Sequence, residues 1–189
     1  MLLRIPTLTA CILLASSLYG ADPLPKVLKP QVADPVTLTD NGTTWTLDNG
    51  LVKATINKNN GNIPSLIYHG VAIVGRSNFW ETVPSGTVTP SVTIDPAKNK
   101  GTRAEVAVKG VNGRMDIEVR YTMERGASGF YTYAEYTHGP DYPAAGFGEN
   151  RFILQMNPTF DWISVDADRN MLMCNNDDER DGVVIHAKE

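Results

Sequence analysis

Arg151, in the run Gly148-Glu149-Asn150-Arg151-Phe152, is the side chain in this 189-residue sequence best suited to hold an anion. Its planar guanidinium can clamp a carboxylate through two parallel N–H bonds, a geometry that lysine does not reproduce. Without further context it reads as a surface arginine on a strand, or as one paired with Glu149 or Glu135. Four positions on, Gln155 can donate a hydrogen bond but carries no charge. In the run Phe130-Tyr131-Thr132-Tyr133, alternation puts Tyr131 and Tyr133 on one strand face and Phe130 and Thr132 on the other. An exposed ring on such a face can pack against the apolar face of a sugar. Trp45, Trp80, Trp162 and Tyr142 are further rings, the tryptophans being expected in a core because they bury so much apolar area.

Metal and nucleophile chemistry are poorly served. His69, His138 and His186 lie far apart and share no ligand spacing. His138, before Gly139-Pro140, has no visible partner and reads as a surface turn residue. If Cys11 departs with a leader, Cys174 remains alone; no internal disulfide is then possible, and beside Met171 and Met173 it is expected to be a small buried side chain. Asp166-Ala167-Asp168-Arg169-Asn170 imitates the start of a calcium loop, but Met171 stands where glycine makes the turn and Asp177 where the final glutamate belongs. The polar run from Asn175 to Asp181 reads as a solvated loop, with calcium ligation as the lesser alternative. No cofactor is expected beyond that calcium alternative.

The elements that position these residues are strands. From Val36 onward the chain alternates short Val-, Ile- and Thr-rich runs with turns, and no window has a persuasive 3.6-residue period. Asn49-Gly50, Asn60-Gly61 and Asn112-Gly113 are dipeptides that accept positive φ cheaply. Strands are predicted over 43–47, 52–57, 65–68, 71–74, 88–94, 104–111, 114–123, 130–137, 150–156, 163–166 and 183–186. Ala104, Val106 and Val108 alternate with polar neighbours, as do Met115, Ile117 and Val119, which implies one buried and one wet face. The fold class is all-β, an antiparallel sandwich.

Residues 1–20 hold Arg4 and a short apolar stretch and read as a signal peptide, too short to span a membrane. Residues 21–35, with prolines at 23, 25, 30 and 35, read as an extended leader, and 36–189 as the sandwich. The product is expected outside the cytoplasm, secreted or periplasmic, without stable membrane association after cleavage, and monomeric. A formal net charge of −4 with scattered Lys and Arg gives no basic stripe for nucleic acid.

Three segments taken in order carry a resemblance: LDNGLVKATINKNNGNIPSLIYHG at 47–70, YTYAEY at 131–136 and GENRFILQMNPTFDWISV at 148–165. The chain resembles the N-terminal part of the catalytic domain of rhamnogalacturonan lyases, the fourth family of polysaccharide lyases. That likeness covers roughly residues 35–189. It implies a super-β-sandwich of the galactose mutarotase type and, as partner, the acidic plant cell-wall polysaccharide rhamnogalacturonan.

The resemblance implies β-elimination. A base removes the C5 proton of a galacturonate while cations or donors neutralise its carboxylate, and the bond from C4 to the rhamnose-linking oxygen breaks. In the family an arginine of a G-E-x-R-F strand binds substrate, and the matching position here is Arg151. Some relatives carry a second arginine where this chain has Gln155, which implies either weaker neutralisation of an anionic sugar or a shift of that task to a residue such as Arg169 or Arg103. The family's base is a lysine assisted by a histidine, and by this alignment both fall beyond Glu189. Lys188 lacks the aromatic neighbour of that lysine. The chain is therefore expected to be a portion of the lyase domain and inactive alone. The competing reading is a non-catalytic carbohydrate-binding or aldose-epimerase-like sandwich.

Overall fold

The computed structural model describes residues 34–146 and 148–183. The expected signal peptide, nearly all of the leader, His186 and Lys188 lie outside those residues.

Strands β1 (Thr37–Asp40), β2 (Thr44–Asp48), β3 (Val52–Asn57), β4 (Ser65–Tyr68) and β5 (Val71–Ala72) form one antiparallel sheet in chain order. After β6 (Val74–Trp80), the strands β7 (Ser85–Ile94), β8 (Arg103–Val111), β9 (Asp116–Glu124) and β10 (Phe130–Thr137) form a second antiparallel sheet, ordered β10-β9-β8-β7. The chain then returns, and β11 (Phe152–Met156) pairs with β6. A hairpin of β12 (Trp162–Ser164) and β13 (Asn170–Leu172) and a six-residue helix α1 (Asn176–Asp181) complete the described residues. None of their helices is long and apolar enough to cross a membrane.

The core lies between the two sheets. Trp45 and Leu47 of β2 and Val52, Ala54 and Ile56 of β3 meet Ala104, Val106 and Val108 of β8 and Ile117, Val119, Tyr121 and Met123 of β9 in one buried cluster. Burying each large apolar side chain contributes about 1.5–3 kcal/mol. A one-residue slip of any strand would turn its set to water, so the alternation fixes register. The expected all-β antiparallel sandwich is what the chain forms.

The Asn-Gly turns hold as read, with Gly50, Gly61 and Gly113 at φ of 83°, 75° and 86°. Asn49 does more than turn. Fully buried, it donates from Nδ2 to the carbonyls of Glu124 and Ala127, each at 2.8 Å, while its Oδ1 accepts from the amides of Leu51 and Val52. One side chain thereby ties the β2–β3 turn to the β9–β10 turn. The Tyr121 hydroxyl, donating to the Gly61 carbonyl at 2.6 Å, makes a second tie between the layers, and burial pushes its pKa well up.

Other expectations need correction. The strand predicted over 71–74 is two elements, β5 and a longer β6, because Gly75, Arg76, Ser77 and Asn78 have weak strand preference and are held extended by pairing. The short strands β1 and β13 were not foreseen. The loop over 175–181 contains α1, whose N-terminus is closed by a capping box between Asn175 and Asp178. Val183 is exposed coil. Cys174 is exposed, not buried, because β12 and β13 do not pack back on the sandwich.

The outward face of the second sheet is drier than alternation suggests. Glu105, Ala107 and Thr122 are buried there. The Glu105 carboxylate accepts from Thr122 Oγ1 at 2.7 Å, Thr93 Oγ1 at 2.8 Å, Arg120 Nη1 at 3.0 Å and Arg103 Nη2 at 3.1 Å. Burial raises its pKa, but these donors outweigh burial and hold it below the ordinary glutamate value.

Candidate substrate-binding site

Arg151 stands just ahead of β11, and its position follows from how β11 is seated. Phe152 pairs with Trp80, Ile153 with Phe79 and Leu154 with Asn78, and the register then shifts before Met156 meets Val74. At that irregularity the amide of Gln155 leaves the ladder, and buried Asn78 accepts it on Oδ1 at 2.9 Å. Asn78 also exchanges backbone bonds with Ile63, which fastens β6 to the first sheet. Gly75 is a glycine because a Cβ there would lie 2.5 Å from the Met156 carbonyl oxygen.

The inner side of this pair meets β10. The Trp80 indole donates to Thr132 Oγ1 at 2.9 Å and its ring packs on Phe152, 5.5 Å between centroids. Asn150 Nδ2 donates to the Tyr136 hydroxyl at 2.7 Å, and that hydroxyl donates to the Thr82 carbonyl at 3.0 Å. These contacts use the core-facing residues of β10. A cleft of about 440 Å³ opens nearby, with Val52, Leu66, Phe130, Phe152 and Leu154 in its wall; so apolar a lining is unsuited to an anion.

The guanidinium of Arg151 is turned to solvent and paired. Nε and Nη2 donate to the two carboxylate oxygens of Glu81, each at 3.2 Å, while Nη2 also lies 3.2 Å from Glu149 Oε2. The Glu149 contact agrees with the bare reading of the sequence, whereas Glu81 was not foreseen and Glu135 lies on another strand. The Arg151 hydrogen bond holds the Glu81 carboxyl below its ordinary value, and Glu81 raises the guanidinium in return. One cation between two carboxylates leaves this patch net negative.

The other expected residues are elsewhere. Gln155 lies in β11, which Arg151 precedes, and sits at the irregular far end of that strand. Tyr131 and Tyr133 are 63% and 46% exposed on the outward face of β10, opposite the face that meets Trp80 and Asn150. β10 pairs with β9 and β11 with β6, so the tyrosines and Arg151 do not share a surface. Tyr133 lies over Arg120, 5.9 Å from ring centroid to guanidinium carbon. Arg169 is committed to Asp166 and Arg103 to Glu105. Asp166 spends its carboxylate on the amides of Asp168 and Arg169 and on the Arg169 side chain. Among the described residues no group of three or more His, Cys, Asp or Glu is placed to hold a metal ion.

Residues 102–184 match the rhamnogalacturonate lyase family. The matched segment runs from the start of β8 past α1 and includes Arg151, Gln155, Tyr131 and Tyr133. It supports a polysaccharide lyase, and the resemblance read from the sequence stands. Glu81, the residue that follows β6, lies outside the rhamnogalacturonate lyase match. No curated protein matches the chain. Sequence reasoning missed Glu81 and Asn78 because their relation to the arginine strand exists only through β6–β11 pairing, about 70 residues apart in sequence.

Proposed function

We propose that this chain is part of an exported rhamnogalacturonan lyase that cleaves rhamnose–galacturonate links of pectin by β-elimination. Arg151 supplies the positive charge for the uronate carboxylate. The observation that carries the reading is the guanidinium within the family-matching segment, solvent-facing and already held in a bidentate carboxylate pair. A group so arranged lowers the cost of charge developing in the enolate-like transition state. The partners of Arg151 are the carboxylates of Glu81 and Glu149, so a ligand carboxylate must compete with them for the guanidinium. Gln155 is a neutral donor further along β11 in this reading.

The test is calorimetry with rhamnogalacturonan oligosaccharides, alongside absorbance of unsaturated uronate. Wild-type chain is expected to bind without releasing absorbing product, and Arg151→Ala to bind at least about tenfold more weakly. Binding unchanged by Arg151→Ala would remove the uronate site, and product release would refute the separation of recognition from chemistry. A non-catalytic sugar-binding role is the second reading. It is favoured by the exposed Tyr131 and Tyr133 on the opposite face, and tightened binding of neutral galactan through those rings would support it.

A further inference from the structure

The donors of Arg151 are unequally committed. A guanidinium offers a side edge, Nε with Nη2, and an end edge, Nη1 with Nη2. Glu81 fills the side edge with both of its oxygens. It is also fixed through the backbone, since its amide donates to the Arg151 carbonyl at 2.8 Å, one step beyond the Trp80–Phe152 pair. Glu149 reaches Nη2 with one oxygen, and its side chain is 74% exposed against 36% for Glu81. A single contact from a side chain so open to water is cheaply broken.

We propose that Glu81 is the positioning partner of Arg151 and that Glu149 is a displaceable stand-in on the end edge where a ligand carboxylate binds. The inference rests on reading Arg151 as the uronate clamp. In the free chain Glu149 lies beside Nη2 with one oxygen; in the complex it swings to solvent and the uronate takes the end edge, while Glu81 keeps the guanidinium plane in register with β11. Glu149 thus acts as a specificity filter. A neutral sugar offers no charge to displace it, whereas a carboxylate replaces like with like and adds contacts from the rest of the oligosaccharide.

The experiment titrates wild type, Glu149→Gln, Glu81→Gln and Arg151→Ala with rhamnogalacturonan oligosaccharides and with the same oligosaccharides reduced from uronate to neutral sugar. Glu149→Gln is expected to bind the acidic ligand roughly two- to fivefold more tightly and the reduced ligand as wild type does. Glu81→Gln is expected to bind the acidic ligand several-fold more weakly at an unchanged melting temperature. A general structural role for either glutamate predicts loss for both ligands and no gain, so the carboxylate-specific gain separates the two accounts. Unchanged or weakened acidic binding in Glu149→Gln, with Arg151→Ala still disrupting it, would overturn the inference and leave the uronate clamp standing. Absent binding by wild type, or wild-type affinity in Arg151→Ala, would remove the clamp and the inference together.

Discussion

Glu105 is a carboxylate on the outward face of a sheet, yet it is 5% exposed and satisfied by two hydroxyls and two guanidinium groups. Its pKa is lowered in the folded chain, so the stability it contributes is present in full above the unfolded glutamate value, about 4.3, and is lost as pH falls through the folded value. Urea midpoints measured from pH 7 down to pH 3 should therefore converge for wild type and Glu105→Gln. At pH 7 the variant should be less stable by about 1–3 kcal/mol, since Arg103 and Arg120 lose the carboxylate they share, Arg120 keeping only Glu118. A constant difference across that range would show that packing rather than charge dominates. Most of this network was illegible in the sequence: Arg103 stands two positions from Glu105 on β8, but Thr93, Arg120 and Thr122 reach it only through the registers of β7, β8 and β9. The pairing of Arg151 with Glu149 was legible because the two are two positions apart, whereas Glu81 was hidden by distance along the chain.

Among the elements, β3, β4 and β10 have the bounds that their composition predicts, because Val, Ile and aromatic residues alternate there between clear turn signals. The strand that matters most to Arg151 is the one the sequence concealed. Strand β6 contains Gly75, Ser77 and Asn78, residues that weaken a strand locally but suit the close approach of β11. Gly75→Ala should push the Met156 backbone away, cost roughly 1–3 kcal/mol and weaken binding of acidic oligosaccharides by displacing the strand that follows Arg151. Gly129→Ala is the control, since a Cβ there meets nothing within 4 Å. Equal melting temperatures for the two variants would mean that β6 and β11 can separate without penalty.

At the scale of the molecule, the sandwich fold was readable from alternation and turns, but the fate of residues 157–183 was not. Trp162, Ile163, Val165, Met171, Leu172 and Met173 are all exposed, and none joins the buried core cluster of the described residues. The monomer expected from the sequence took no account of this surface. An apolar hairpin of this kind favours self-association. Sedimentation velocity should show larger species as concentration rises, and Ile163→Lys combined with Leu172→Lys should suppress them. A single concentration-independent species for the wild-type chain would contradict this.

The Asn49 clamp also bears on how quickly the molecule can form. Its two donated bonds reach residues 75 and 78 positions away, so the turn that nucleates the first sheet cannot satisfy its buried amide until the second sheet has nearly closed its own last hairpin. Each sheet is a local meander able to assemble early, but docking them requires loop closure over that span before the polar groups at the seam are matched. Folding should accordingly be limited by the meeting of the two sheets, on the millisecond-to-second timescale of sandwiches. Until that encounter, a chain still emerging from synthesis holds two half-formed apolar faces that only the arrival of β9 and β10 can cover.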